Sequence, residues 1–260
     1  MKRREFLVNT ARGLGAAWVA SKLSSDNSAW AIDQPPLPQK FNAHDTVTLG
    51  ATGIKTSRLA MGTGTHGFAK SSDQVRLGMA PLTALLLNGY ENGLRFFDTA
   101  DSYGSHPYVA SALKQIPRDK VVVMTKSDTR DPAGMKAALD RYRRELGIDY
   151  IDIVLMHCMM EGDWTTRYRD TMDVLSEAKE KGVLRAHGCS CHTLEALRAA
   201  AASPWVEVGL HVLRVARVGL CHHNDLVARN LLERGGDVRV AAVGVGGVKE
   251  AQAVFITIEQ

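Results

Sequence analysis

Apolar runs of strand length alternate with helix-like segments over most of this 260-residue chain. Such alternation is typical of an α/β protein, because each parallel strand pair needs a crossover segment that is usually a helix. With 45% apolar residues, the chain can bury a large core as one domain. Strands are predicted at residues 59–64, 95–98, 120–125, 150–156, 184–189, 205–212 and 237–244, with helices at 81–92, 108–115, 133–146, 171–181, 194–202 and 224–233.

Three successive predicted strands deliver an ionisable side chain at or just past their ends. These side chains are Asp98, Lys126 and His157, and the phenol of Tyr103 lies in the loop after Asp98. Each residue taken alone is more often solvated or structural than functional. However, the carboxyl ends of parallel strands gather on one face of a β/α barrel, where chemistry usually takes place. The joint pattern therefore predicts that the four side chains share one cleft.

The segments around these residues resemble those of a known family. The matching segments are GTGT at 62–65, FDTADSYG at 97–104, MTKS at 124–127, DYIDIVLMH at 149–157 and GVLRAHGCS at 182–190. From about residue 46 to about residue 210, their order and spacing resemble those of the aldo-keto reductases. The resemblance implies a (β/α)8 TIM barrel, NADPH as the cofactor, and reduction of an aldehyde or ketone to an alcohol by hydride transfer.

The resemblance also implies a role for each of the four residues. A free phenol, with a pKa near ~10, donates a proton poorly, and a nearby ammonium lowers that pKa. Tyr103 is expected to protonate the carbonyl oxygen, with Lys126 lowering its pKa and Asp98 keeping Lys126 charged and oriented. His157 is expected to hydrogen-bond the same oxygen, on which negative charge develops.

Residues after the first and fifth predicted strands are the expected cofactor contacts. Gly62 and Thr63 lie on the first loop, near the expected nicotinamide. Ser190 and Cys191 follow the fifth strand, where the family commonly has a Ser-Asn pair that holds the carboxamide. Cys191 stands in place of the Asn, so this chain departs from the family at one expected contact.

The C-terminal end departs from an eight-stranded barrel. The tail at 251–259 fits a last strand, yet no helix of ordinary length fits between it and the seventh. The run 212–223 does not match the family, and the glycine-rich 243–249 is a weak dinucleotide signal. We therefore expect a barrel domain over residues 46–260 that is incomplete at its C-terminal end. A non-catalytic or defective barrel that binds a nucleotide or a protein partner is the alternative function.

Residues 1–31 resemble a twin-arginine signal peptide. Arg3 and Arg4 precede a Phe-Leu pair and a weakly apolar run, and residues 29–31 offer an A-x-A cleavage site. The alternative is a basic amphipathic helix of the folded domain. The signal predicts export to the bacterial periplasm by the twin-arginine machinery, and the apolar run is too short for a stable membrane anchor. Residues 32–45 are predicted to be a linker.

The distribution of net charge along the chain bears on which class of partner the protein binds. The net charge is +4, of which +3 lies in residues 1–31, with five basic and two acidic side chains. Little positive charge remains for a nucleic-acid surface, so a small carbonyl compound is the expected partner.

The four cysteines, with several histidines near strand ends, show no C-x₂-C pair or regular ligand spacing, so no metal site is predicted. Spacing assigns no disulfide.

Overall fold

The computed structural model describes residues 42–213, 238–244 and 252–258, the last two ranges by their backbone alone. The predicted signal peptide, the predicted helix at 224–233 and most of the glycine-rich segment lie outside the described residues. Within the described residues, no helix combines the length and apolarity that crossing a membrane requires.

The domain begins with a two-stranded hairpin. Strands β1 (Thr46–Thr48) and β2 (Lys55–Ser57) pair antiparallel, and a single 3-10 turn, Gly50–Thr52, connects them. Gly53 follows this turn with φ of 68°, a conformation that favours glycine. Glycine therefore stands where the chain reverses.

Eight further strands form a closed barrel. They are β3 (Ala60–Gly62), β4 (Phe96–Asp98), β5 (Val122–Ser127), β6 (Ile151–Met159), β7 (Leu184–Cys191), β8 (Val208–Leu213), β9 (Val238–Gly244) and β10 (Gln252–Ile258). From β3 to β8 each strand is parallel to the next, and β9 is parallel to β3. Strand β10 closes the barrel between β8 and β9 and is antiparallel to both.

The predicted α/β barrel fold is confirmed, and its last strand departs from the all-parallel (β/α)8 pattern. Strand β9 ends at Gly244 and β10 begins at Gln252. This connection is shorter than the dozen or more residues that a parallel crossover needs. The chain can therefore return only in the opposite direction, which makes β10 antiparallel.

Seven α-helices occur in the described part of the chain, and most of them cover the outside of the barrel. They are α1 (Asp73–Arg76), α2 (Met79–Glu91), α3 (His106–Leu113), α4 (Pro132–Leu146), α5 (Trp164–Arg167), α6 (Arg169–Glu180) and α7 (Leu194–Ala201). Alternate strand residues point to opposite faces. Phe97 therefore packs in an outer cluster with the helices, whereas Phe96 packs in an inner cluster. Leu49 and Ile54 of the hairpin join the inner cluster, so the hairpin fills the barrel interior near the start of β4.

Candidate active site

The four predicted catalytic residues lie on neighbouring elements at the carboxyl ends of adjacent strands. Asp98 ends β4, and Tyr103 lies in a 3-10 turn, Asp101–Tyr103, that follows. Lys126 and His157 lie inside β5 and β6, because these strands continue beyond the predicted ends at residues 125 and 156. The structure brings the four side chains together.

Lys126 is the centre of this group and is fully buried. An ammonium has three N–H donors, and that of Lys126 meets three acceptors. It forms an ion pair with Asp98, donates to the carbonyl oxygen of Thr99 at 3.0 Å, and lies 3.5 Å from the hydroxyl oxygen of Tyr103. Burial is the largest influence and lowers the pKa of Lys126, but the charge and hydrogen bond of Asp98 together with those of Tyr103 outweigh burial, so the pKa is raised overall. The lysine therefore remains a cation.

Tyr103 is held against the ammonium by its ring as well as its hydroxyl. The Lys126 nitrogen lies 4.8 Å from the ring centroid. Burial raises the pKa of the Tyr103 phenol, and Lys126 opposes that rise without cancelling it. The expected lowering of the Tyr103 pKa by Lys126 is therefore present, but it is smaller than the rise that burial causes. The reason is that desolvation of the phenolate outweighs the attraction of one ammonium that is already shared with Asp98.

Two glycines shape the space that the Tyr103 ring occupies. A Cβ atom added at Gly64 or Gly67 would overlap the ring. The amide of Gly67 donates to the carbonyl oxygen of Gly64 at 2.9 Å, which makes this loop a tight turn. The ring thus lies directly on backbone, a role that the sequence analysis did not assign to these glycines.

His157 lies beside the phenol and is oriented by polar neighbours. Its ring meets that of Tyr103 edge-on, with centroids 5.7 Å apart and planes at 81°. The His157 Nδ1 atom lies 3.1 Å from a carboxylate oxygen of Asp128 and 3.4 Å from the hydroxyl of Ser102. The hydrogen bond with His157 is the largest cause of the lowered pKa of Asp128. A carboxylate at this position fixes the imidazole orientation.

Asp128 and Arg130 are site residues that the sequence analysis missed. The Arg130 guanidinium donates to the carbonyl oxygen of His157, so the loop after β5 supports both the ring and the backbone of the histidine. The only signal in the sequence is that both residues follow Lys126 closely. Charged residues in a loop are ordinarily predicted to be exposed to solvent, so this signal is weak.

The predicted cofactor residues occupy different environments. Gly62 pairs with Asp98 in register, and both the amide and the hydroxyl of Thr63 donate to the Asp98 carbonyl oxygen at 3.0 Å. The buried hydroxyl of Ser190 accepts a hydrogen bond from the amide of Cys158 at 2.9 Å. Cys191 packs in the outer cluster, with its sulfur 3.6 Å from that of Cys189. The structure therefore does not bring the Cys191 side chain to the four-residue group.

Comparison with known proteins gives a consistent result. The model of the Aldo/keto reductase family matches residues 59–233. An aldo-keto reductase of Mycolicibacterium smegmatis is 38% identical over 106 residues, covering 38% of this chain and 35% of that protein. The NADH-specific methylglyoxal reductase of Escherichia coli is 29% identical over 167 residues, covering 55% and 51%. The chain therefore spans about half or less of the length of these curated relatives.

A solved structure supports the fold. The aldo-keto reductase AKR11C1 from Bacillus halodurans, in its holo form, superposes with a TM-score of 0.59 at 22% identity. The superposition covers 78% of this chain and 65% of that one. At this level of identity the likeness concerns the barrel architecture.

Proposed function

The chain belongs to the aldo/keto reductase family, and we propose that it reduces an aldehyde or ketone to an alcohol with hydride from a nicotinamide cofactor. The observation that carries this proposal is the buried lysine that contacts both Asp98 and the Tyr103 hydroxyl, with His157 at the edge of the phenol ring. This arrangement offers a proton and a hydrogen bond to one oxygen atom.

The side chains account for the proton but not for the hydride. When hydride adds to the carbonyl carbon, the oxygen gains negative charge and takes the phenolic proton of Tyr103. The raised pKa of Tyr103 keeps that proton in place near neutral pH, and the Lys126 ammonium then stabilises the phenolate that remains. His157 is the second group in reach of the oxygen. None of the four residues can donate hydride, so the proposed reaction requires a nicotinamide cofactor as the hydride source, as the family membership suggests.

NADPH is the cofactor that the family resemblance favours, whereas the E. coli relative is named as NADH-specific. The first test is titration of the purified protein with each cofactor, followed by quenching of tryptophan fluorescence. We expect saturable quenching, tighter with NADPH. Absence of binding of either cofactor at millimolar concentration would favour the alternative of a non-catalytic barrel.

The second test concerns the proton donor. Tyr103→Phe removes the hydroxyl but keeps the ring on Gly64 and Gly67. We expect carbonyl reduction, assayed with methylglyoxal and a panel of aldehydes, to fall by at least ~100-fold, while cofactor binding persists. Tyr108→Phe, in helix α3, is the matched control and should retain turnover. Normal turnover of the Tyr103→Phe protein would refute the assigned donor.

We further propose that residues 1–31 direct export by the twin-arginine pathway. The support is the pair Arg3-Arg4, the short apolar run and the small-residue cleavage site. Fusion of residues 1–45 to a reporter protein should yield periplasmic reporter in a bacterium. The double change Arg3→Lys and Arg4→Lys should keep the reporter in the cytoplasm. Unchanged export of this double variant would contradict the proposal.

A further inference from the structure

A bulge in strand β6 places two neighbouring side chains on the same side of the sheet. Met156 pairs with Cys189 and Met159 pairs with Cys191, so β6 has one residue more than β7 between these pairs. The extra residue is accommodated at Cys158, which has φ of 56° although it is not glycine. In a regular strand, His157 and Cys158 would point to opposite faces. Bulges of this kind re-aim side chains and are frequent next to functional sites.

A third ligand-type side chain reaches the same place from strand β7. His192 follows β7 directly, and its amide donates to the carbonyl oxygen of Met159 at 2.9 Å. The Cys158 sulfur lies 3.4 Å from His192 Nε2. One potential ligand atom from each of His157, Cys158 and His192 lies within 4.8 Å of the other two.

These distances are close to those that a zinc ion requires. Zinc bonds of about 2.0–2.3 Å at tetrahedral angles put ligand atoms roughly 3.3–3.8 Å apart. The 3.4 Å between the Cys158 sulfur and His192 Nε2 lies in this range, and the other two separations do not exceed 4.8 Å. His157 also has the carboxylate partner that metal-binding histidines usually have, because Asp128 contacts its Nδ1 atom at 3.1 Å and leaves the second ring nitrogen for a ligand.

We propose that His157, Cys158 and His192 form a binding site for Zn²⁺ with an open fourth position. Two imidazoles and a thiolate suit this borderline-soft ion, and three protein ligands with one open position are typical of zinc sites that admit water or another ligand. His192 is exposed and Cys158 is partly exposed, so the ion can enter from solvent. The spacing of cysteines and histidines in the sequence predicts no metal here, because the bulge is not visible in that spacing.

Direct binding tests this site without any assay of activity. The purified full-length chain is titrated with Zn²⁺ in competition with a chromophoric chelator. We expect one strongly bound ion per chain, and a loss of at least about tenfold in affinity for Cys158→Ser and for His192→Gln, since even supporting residues of metal sites contribute that much. His44→Gln changes an exposed histidine elsewhere and should leave the affinity unchanged. Circular dichroism verifies that each variant is folded.

Two outcomes would overturn the zinc site. One is zinc affinity that is the same in Cys158→Ser, His192→Gln and wild type. The other is an ion that survives both changes but is lost in Cys221→Ser, which would place it elsewhere in the chain. Co²⁺ gives a second measurement, because a thiolate-to-cobalt charge-transfer band should appear in the wild type and be absent in Cys158→Ser.

Occupation of the site has a consequence that rests on the proposed reductase function. An ion bound to His157 withdraws this imidazole from the carbonyl oxygen, so stoichiometric Zn²⁺ should inhibit reduction and a chelator should restore it. His192→Gln should shift the inhibitory Zn²⁺ concentration upward by at least about tenfold, in parallel with its binding affinity. If the protein proves to have no reductase activity, the chelator titration and the cobalt spectrum still decide whether the metal site exists.

Discussion

Lys126 carries a charge without solvent contact, and the surrounding groups explain how this is tolerated. Taking an ammonium out of water costs several kcal/mol unless other groups replace its hydration. Its three N–H donors meet Asp98, the Thr99 carbonyl oxygen and the Tyr103 hydroxyl. The position of the phenol oxygen is therefore determined by the same contacts that make the buried charge stable. Stability and proton donation depend on one set of atoms.

This dependence predicts a non-additive effect of removing the ion pair. Asp98→Asn or Lys126→Met alone leaves one buried charge without its partner and should lower the free energy of unfolding by roughly 3–5 kcal/mol. The double variant has neither charge and should lose clearly less than the sum. Urea unfolding followed by circular dichroism measures all three. Glu177→Gln, which removes an exposed partner of Lys181, should change stability by less than about 1 kcal/mol. Additive losses would contradict this account.

At the scale of elements, the sequence predicts which strands exist better than how they end. The positions of Asp98, Lys126 and His157 near consecutive strand ends are readable, because apolar runs of strand length are recognisable locally. The continuation of β6 to Met159 cannot be predicted from the sequence, because the bulge in this strand depends on pairing with β7. The assignment of Cys191 to the site rests on the family resemblance alone, and its side chain packs in the outer cluster instead.

The loop after β3 gives a prediction about an element that contains no catalytic side chain. Gly64→Ala and Gly67→Ala each place a methyl group where the Tyr103 ring lies, so the ring must leave the position in which its hydroxyl meets Lys126. A misplacement of about 1 Å can cost ~100-fold in rate, and we expect a loss in kcat of that order with cofactor binding retained.

Steady-state kinetics with a saturating carbonyl substrate provides the measurement for these glycine variants. Gly162→Ala is the matched control, because the nearest atom to its added Cβ is 3.7 Å away, an ordinary contact distance. It should retain wild-type kcat. Full activity of Gly64→Ala would show that the ring position does not limit the reaction.

For the whole molecule, closure of the barrel depends on a strand that runs against the others. The alternation of strands and helices predicts the parallel part, and the short connection before the tail predicts that an ordinary β/α unit cannot fit there. The tail fits a last strand in the sequence, but its antiparallel pairing with β8 and β9 is not predicted, because pairing between distant strands is a long-range property. In strand β10, for example, Ile256 pairs with Gly209 of β8 on one side and with Val240 of β9 on the other.

Removal of this strand should therefore affect the domain as a whole. A chain that ends at Ala251 leaves the facing edges of β8 and β9 with unpaired backbone groups, and such edges promote association between chains. We expect a lower midpoint of thermal unfolding and concentration-dependent oligomers by light scattering, relative to a chain that ends at Ile258 and keeps all of β10. The cofactor titration on the same two proteins reports whether the opened barrel still binds. If the shorter chain proved monomeric and equally stable, the barrel would not need β10, and the parallel strands from β9 through β3 to β8 would have to be stable as an open sheet.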